Sequence, residues 1–119
     1  MENSKEKLLV QFNKAFANCN SQFILEQVTD SFQWIMIGKK EVKGKEEFAE
    51  TLKEMEGYET SELEIVDVIT HGKKGCVNGN MKMKSPKGDP ISFSFCDVYE
   101  FEDSEDLKIS RMTSYVVDR

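Results

Sequence analysis

Residues 91–102, with the sequence ISFSFCDVYEFE, alternate between two sets of side chains. In an extended strand, successive side chains point to opposite faces of the sheet, so one face carries large aromatic groups and the other carries small and polar ones. The aromatic face consists of Phe93, Phe95, Asp97, Tyr99 and Phe101. We therefore predict a β-strand in which Asp97 places one carboxylate on an otherwise apolar face.

Three further extended segments accompany this strand in the second half of the chain. They alternate in the same way over residues 61–71, 75–84 and 107–118. The separators between the four segments are short and rich in Gly, Pro and charged residues, which is typical of hairpin turns. Gly79, inside one of the segments, predicts a bulge or a bend. We expect these four segments to form an antiparallel meander.

The first half of the chain shows helical patterns and one further strand pattern. Apolar residues recur at three- and four-residue spacing in the helical segments, and Asn3 or Ser4 is the expected cap of the first helix. The segments are residues 4–19, 21–28 and 45–55 for the helices and residues 30–38 for the strand. Helices that precede an antiparallel meander predict an α+β fold.

The composition argues against several functional classes. The 119 residues include 16 Lys and Arg against 22 Asp and Glu, a net charge of −6, whereas nucleic-acid binding needs a positive face. The apolar runs are far shorter than the roughly 20 residues of a membrane span, and the first residues do not resemble a signal peptide, so we expect a cytoplasmic protein. Cys19, Cys76 and Cys96 lack metal-ligand spacing, and we expect reduced thiols, no metal and no cofactor.

Five phrases along the chain have a recognisable order. They are DSFQW at residues 30–34, VKGKEEF at 42–48, EIVDVITHG at 64–72, DVYEFE at 97–102 and LKISRMTSYVVD at 107–118. Together they resemble the nuclear-transport-factor-2-like (NTF2-like) superfamily, and within it the SnoaL-like branch that also contains ketosteroid-isomerase relatives.

The resemblance implies one domain over residues 1–119. In this fold the N-terminal helices pack in the concave face of a strongly bent antiparallel sheet, which forms a cone-shaped, cystatin-like half barrel with a pocket between sheet and helices. The resemblance also implies a homodimer through the outer sheet face. It does not imply one activity, because the superfamily includes isomerases, dehydratases, epoxide hydrolases, cyclases and proteins without a known reaction.

The position of Asp97 on an aromatic face has two interpretations. If the turn between the last two strands spans residues 102–106, Asp97 faces Arg111, which would lower the pKa of the carboxyl group. Asp97 would then be a paired structural group or a polar anchor for a ligand. If burial instead raises its pKa, Asp97 is a candidate general acid or base, as carboxylates are in the isomerase relatives.

The same register predicts the wall of a ligand pocket. It places Phe95 opposite Thr113, with Tyr115 further along the same face. Trp34 and Phe32 share one face of the first strand, which by the resemblance borders the pocket. The predicted lining residues are Phe32, Trp34, Phe95, Asp97, Tyr99, Arg111, Thr113 and Tyr115.

Three functions fit these features. The leading hypothesis is binding of a small, largely apolar molecule in the pocket. The first alternative is a cofactor-independent isomerase, cyclase or dehydratase, with Asp97 as acid or base and Tyr99 or Tyr115 as hydrogen-bond donor. The second is a protein-interaction or stress-adaptor domain with a vestigial pocket. His71, the one histidine, is expected to be a solvated residue at the end of a strand.

Overall fold

The computed structural model describes residues 4–103 and 106–119. Its helices are α1 (Ser4–Ala17), α2 (Ser21–Glu26) and α3 (Lys45–Glu54), and its strands are β1 (Val28–Met36), β2 (Lys40–Lys43), β3 (Glu59–His71), β4 (Lys74–Lys84), β5 (Pro90–Phe101) and β6 (Ile109–Asp118). The three predicted helices and all five predicted strands are present. Of the two predicted caps of α1, Asn3 lies outside the described residues and Ser4 is already helical.

The strands in the described residues form one sheet in the order β2-β1-β6-β5-β4-β3. The predicted antiparallel meander runs from β3 to β6. The sheet is mixed rather than antiparallel throughout, however, because β1 runs parallel to β6, with Trp34 opposite Met112. Parallel neighbours need a long crossover, which here consists of β2, α3 and the first three strands of the meander.

The edge strand β2 lies where the sequence pattern indicated only a short Lys-rich connection. It pairs with β1 through a turn at Gly38, whose φ of 76° lies in the left-handed region that favours glycine. Val42 is buried, whereas the Lys and Glu residues of β2 are exposed. Charged side chains on an edge strand protect it from pairing with other chains, and they also hide its periodicity.

The helices pack against one face of this curled, open sheet. Leu9 and Phe12 of α1 and Phe48 of α3 are completely buried. The ring of Phe48 lies 4.6 Å from that of Phe32 on β1, centroid to centroid. Each such side chain contributes roughly 1.5–3 kcal/mol when fully buried, so these contacts hold α1 and α3 on the sheet.

A bulge lies opposite Gly79. The register between β3 and β4 shifts after Ile65 pairs with Gly79, which leaves Val66 as an extra residue on β3. A Cβ atom at Gly79 would lie 2.0 Å from the backbone oxygen of Glu64. The predicted irregularity is therefore present, with the extra residue on the neighbouring strand, and a bulge of this kind bends and twists the sheet.

The predicted register of the last hairpin was wrong. Asp97 pairs with Ser114 rather than Arg111, for two reasons. First, the connection is longer than predicted, since Phe101 pairs with Ile109 and not with Leu107. Second, a bulge lies between this pair and the next one, Glu100 with Arg111. Residues 104–105 of the predicted turn lie outside the described residues.

The total shift along the hairpin is an odd number of residues, which exchanges the two faces of β6. The residues of β6 on the face of Asp97 are Met112, Ser114 and Val116, and the residues on the opposite face are Arg111, Thr113 and Tyr115.

No helix in the part of the chain that the structure describes is long and apolar enough to cross a membrane.

Candidate functional site

An apolar cavity of about 170 Å³ lies between α1 and the inner face of the sheet. Its wall includes five of the six methionines of the chain together with four aromatic side chains. These residues are Met36, Met55, Met81, Met83, Met112, Phe16, Trp34, Phe93 and Phe95. Methionine is flexible and polarisable, so this wall can adapt to an apolar molecule of irregular shape.

A second hollow of about 540 Å³ adjoins the cavity. The two share Phe16, Trp34 and Met55, and the hollow extends past them to Ile24 and Tyr58. The cavity therefore borders a groove along α2 and α3, which lies where a ligand longer than the inner cavity would extend.

The polar groups of the cavity converge at Asp97. Besides the exposed Lys39, the polar lining residues are Asn13 of α1, Asp97 of β5 and Ser114 of β6. Asn13 and Ser114 are both buried, and Ser114 is the cross-strand partner of Asp97. One carboxylate thus stands in an apolar wall with two buried polar neighbours.

Burial raises the pKa of Asp97 from its ordinary value of 3.8 to about 6. Hydrogen bonds from Ser114 and Tyr99 act in the opposite direction, because they favour the ionised form of the carboxyl group. The loss of hydration outweighs both bonds. At pH 7 the carboxylate is largely ionised, yet its pKa is close enough to neutrality for it to accept and return a proton.

Ser114 connects Asp97 to Trp34. The indole Nε1 of Trp34 donates a hydrogen bond of 2.9 Å to Ser114 Oγ, and the Ser114 hydroxyl bonds the carboxyl group of Asp97. An indole N–H can only donate, so it occupies a lone pair of the serine oxygen. The serine hydrogen is then free to point at Asp97.

Tyr99 approaches Asp97 from inside the core. Its hydroxyl donates to Asp97 Oδ2 over 3.4 Å, and it accepts a hydrogen bond of 3.0 Å from Asn13 Nδ2. Asn13 Nδ2 also donates to the carbonyl oxygen of Leu9 at 2.8 Å, which fixes the orientation of the amide. Burial, and then the charge of Asp97, raise the pKa of Tyr99 well above its ordinary value, so Tyr99 remains a neutral donor.

The structure brings together only part of the predicted pocket. Trp34, Phe95 and Asp97 line the cavity. Phe32 and Tyr99 are fully buried and lie in the core behind its wall. The predicted placement of Arg111, Thr113 and Tyr115 on the inner face was wrong, because the register change turns them to the outer face.

Arg111 pairs instead with Glu100 on the outer face, where Lys74 Nζ also lies 2.8 Å from Glu100 Oε1. The hydrogen bond from Lys74 is the main reason that the pKa of Glu100 is lowered, and the nearby charge of Arg111 contributes. The predicted pairing of Asp97 with a guanidinium is thus absent, and with it the argument for a low pKa at Asp97.

The predicted lining residues included neither Asn13 nor Ser114, and none of the five cavity methionines. Asn13 could have been noticed as a polar residue within the apolar helical pattern of α1, whereas Ser114 depended on the register. His71 is exposed at the end of β3, as expected. Among residues 4–103 and 106–119, no three His, Cys, Asp or Glu side chains form a group that could hold a metal ion.

Helices packed on a curled, open mixed sheet, with an apolar cavity between the two layers, define the cone-shaped α+β class of NTF2-like proteins. The family model described as a SnoaL-like domain matches residues 9–112, and the chain belongs to this family.

Solved structures share this fold. An NTF2-like protein of unknown function from Cytophaga hutchinsonii is 26% identical over 94% of this chain and 98% of its own, with a TM-score of 0.69. An LEH-like epoxide hydrolase from M. tuberculosis is 18% identical, covers 93% and 80% of the two chains and has a TM-score of 0.79. A ketosteroid isomerase-like protein from Erwinia carotovora atroseptica is 16% identical, with 96% and 94% covered and a TM-score of 0.73.

A search of curated proteins finds no match to this chain.

Proposed function

We propose that the protein binds a small, largely apolar molecule in the inner cavity and that Asp97 moves a proton on it without a cofactor. The reaction class is isomerisation, cyclisation or dehydration. The observation that carries this proposal is a carboxylate at the wall of an apolar cavity whose pKa is raised to about 6. A general base works best when its pKa lies near the working pH.

The surroundings of Asp97 suit proton transfer on a carbon acid. The Met-rich and aromatic wall gives the bound molecule an apolar surrounding, in which electrostatic interactions are stronger than in water. Ser114 and Tyr99 stabilise the ionised form, and the apolar wall stabilises the protonated form. The two forms are therefore closer in free energy than they are for an aspartate in water.

Binding without chemistry is the second candidate. Both hydroxyl groups that bond Asp97 belong to the protein, and the carboxylate could equally hold a hydroxyl or amino group of a bound molecule. In that case the protein would be a carrier or a sensor of its ligand. The two candidates share the cavity and differ in whether Asp97 exchanges a proton with the ligand.

The test uses Trp34 as an internal reporter, since it is the one tryptophan of the chain and lines the cavity. A bicyclic ketone with exchangeable α-protons, such as 2-tetralone, is titrated against Trp34 fluorescence, and the protein-dependent uptake of deuterium from D2O is followed by NMR. Saturable binding with exchange that is lost in Asp97→Asn supports the proposal. Asp67→Asn, on an exposed part of β3, is the matched control.

Three outcomes are distinct. Saturable binding without protein-dependent exchange would favour the carrier or sensor. Exchange that persists unchanged in Asp97→Asn would overturn the role of Asp97. An unchanged Trp34 signal with this ketone and with a set of larger apolar molecules would overturn binding in the cavity.

We also propose a homodimer through the outer sheet face. Large apolar side chains are exposed there on both sides of β5, namely Val66 and Ile69 on β3 and Tyr115 and Val117 on β6. Val66 and Val117 are 57% and 67% exposed, which is unfavourable in water unless a partner covers them. A second copy of the chain presents the same strip and can pair with it around a two-fold axis.

A further inference from the structure

Two thiols lie in contact on the outer face of the sheet. Cys76 of β4 and Cys96 of β5 are both reduced and partly buried, and their sulfur atoms are 3.5 Å apart. Cys76 pairs with Val98 and Cys96 pairs with Asn78, so the two cysteines are diagonal neighbours on adjacent strands. The cavity on the inner face does not include either residue.

The strands hold the two sulfur atoms in van der Waals contact. β4 and β5 pair without a register shift from Lys74 to Lys84, so backbone hydrogen bonds fix the distance between the strands on both sides of the cysteines. Diagonal neighbours in an antiparallel pair lie within reach of each other's side chains. A disulfide bond is about 2.05 Å long, so closing it requires the two sulfurs to approach by about 1.5 Å.

We propose that Cys76 and Cys96 form a reversible intramolecular disulfide when the protein meets a low-molecular-weight disulfide such as glutathione disulfide. One cysteine thiolate attacks glutathione disulfide, which forms a protein–glutathione mixed disulfide and releases one glutathione thiol. The second cysteine, as its thiolate, attacks the protein sulfur of the mixed disulfide and releases the second glutathione. The protein loses two electrons and two protons, and one glutathione disulfide becomes two glutathione molecules.

The environment of the pair indicates a slow reaction. Burial raises the pKa of the Cys76 thiol to about 11, and the neighbouring Cys96 adds to the effect. Since the thiolate is the reactive form, little of Cys76 is reactive at neutral pH. Once a mixed disulfide has formed on one cysteine, however, the other sulfur is already next to it, and the high local concentration favours closure over a second glutathione adduct.

Cys19 is an internal control within the same chain. It is exposed after α1, and its sulfur contacts the carbonyl oxygen of Tyr58 at 3.7 Å rather than another thiol. Cys19 can therefore form a mixed disulfide with glutathione but has no adjacent cysteine to close on. Its presence would complicate the mass spectrum, so the main experiment uses the Cys19→Ser variant.

The pair lies inside the apolar strip that we propose as the dimer surface, where Cys96, Val66 and Tyr115 border the same shallow depression. A dimer would cover the thiols, so the experiment is run at a protein concentration at which sedimentation velocity shows a monomer. The disulfide does not depend on ligand binding or catalysis in the cavity, and the two proposals can fail separately.

In the test, Cys19→Ser is incubated with glutathione disulfide and its intact mass is measured under native conditions. We expect the loss of two hydrogen atoms, recovery of the original mass with dithiothreitol, and a cross-linked pair of peptides that contain Cys76 and Cys96. Cys19→Ser/Cys96→Ser and Cys19→Ser/Cys76→Ser are the matched controls, and each should retain an unclosed thiol or a single glutathione adduct.

The proposal is overturned if Cys19→Ser keeps both thiols free, accumulates stable glutathione adducts, or cross-links between chains on a non-reducing gel. Thermal unfolding adds a readout that does not depend on the Cys76→Ser and Cys96→Ser controls. Oxidised Cys19→Ser should unfold at a higher temperature than the reduced form, because a cross-link restricts the unfolded chain, and reduction should reverse the shift.

Discussion

Trp34 Nε1 and Ser114 Oγ form a hydrogen bond of 2.9 Å between two strands that run parallel, and this bond determines what Ser114 offers to Asp97. Because the indole N–H is a donor, the serine oxygen acts as the acceptor, and its own hydrogen is directed to the carboxylate. Asn13 acts in the same way on the hydroxyl of Tyr99. Trp34 and Asn13 do not bond the carboxylate themselves, but they orient the hydroxyls of Ser114 and Tyr99, which do.

Ser114→Ala should raise the pKa of Asp97 above its present value of about 6. The variant removes a hydrogen bond that favours the ionised carboxylate, while the burial that raises the pKa remains. It also leaves the indole N–H of Trp34 without its acceptor, at a cost of about 1–3 kcal/mol in the free energy of unfolding. Carboxyl 13C NMR across a pH titration measures the first effect, and urea unfolding measures the second.

Thr113→Ala is the matched control for Ser114→Ala, since it alters the adjacent hydroxyl on the outer face of the same strand. It should leave the titration of Asp97 unchanged. An Asp97 pKa that is equal in wild type and Ser114→Ala would contradict the orientation of the serine hydroxyl described above.

Asp97→Asn should stabilise the protein at neutral pH and not in acid. Well below pH 3.8 the carboxyl group is protonated in both the folded and the unfolded chain. As the pH rises from about 3 to about 6 the unfolded chain ionises first, so the free energy of unfolding of the wild type falls as the pH rises. The difference between 3.8 and about 6 corresponds to about 3 kcal/mol once both states are ionised.

Urea unfolding of wild type and Asp97→Asn at several pH values measures this difference. The advantage of the variant should grow from about pH 3 to about pH 7 and then stay constant. Glu100→Gln is a control of opposite sign, because the pKa of Glu100 is lowered in the folded state and its charge therefore favours folding at neutral pH. A constant difference between wild type and Asp97→Asn at all pH values would refute the raised pKa.

Asn13 and Tyr99 should be energetically coupled. The hydrogen bond between them is buried and measures 3.0 Å, and a bond of this type contributes about 1 kcal/mol. A double-mutant cycle with Asn13→Ala and Tyr99→Phe isolates that contribution. Thr51→Val replaces Asn13→Ala in the control cycle, because the Thr51 hydroxyl bonds within its own helix. Equal coupling in the two cycles would show that the Asn13–Tyr99 bond has no specific effect.

The sequence predicted the elements of this fold better than their pairing. Alternation and helical spacing located the helices and long strands because these patterns depend on neighbouring residues. The register of β5 and β6 depends on the length of the loop between them and on the bulge between the pairs Glu100–Arg111 and Phe101–Ile109. Neither feature leaves a periodic signal in the sequence. Together they shift the register by an odd number of residues, so Asp97 lies opposite Ser114 instead of Arg111.

The candidate site shows the same limit. Asp97 could be selected from the sequence because a charge on an aromatic face is unusual, and Trp34 because it shares the inner face of β1. Asn13 is different, since its contact with Tyr99 joins residues 86 positions apart and depends on how α1 lies on the sheet. Tertiary packing of this kind cannot be deduced from local periodicity.

Gly79→Ala should destabilise the protein much more than Gly75→Ala does. An alanine Cβ at position 79 would lie 2.0 Å from the backbone oxygen of Glu64, which cannot move without disturbing the bulge in β3. At position 75 the nearest atom is the Cδ1 of Leu9 at 2.7 Å, the flexible end of a side chain. Overpacking costs about 1–3 kcal/mol, and the cost at position 79 should lie at the upper end because the clash is with backbone. Similar urea midpoints for the two variants would contradict this reading of the bulge.

Val117→Glu should abolish the proposed homodimer. Val117 is 67% exposed on the outer face, and a carboxylate buried there in a dimer would lose its hydration without a partner. Val116→Glu is the matched control. Val116 is next to Val117 in the chain and is also exposed, but its side chain borders the inner cavity. Sedimentation velocity over a range of concentrations should give a dimer for wild type and Val116→Glu and a monomer for Val117→Glu. A monomeric wild type, or a dimer of Val117→Glu with unchanged affinity, would rule out this face as the interface.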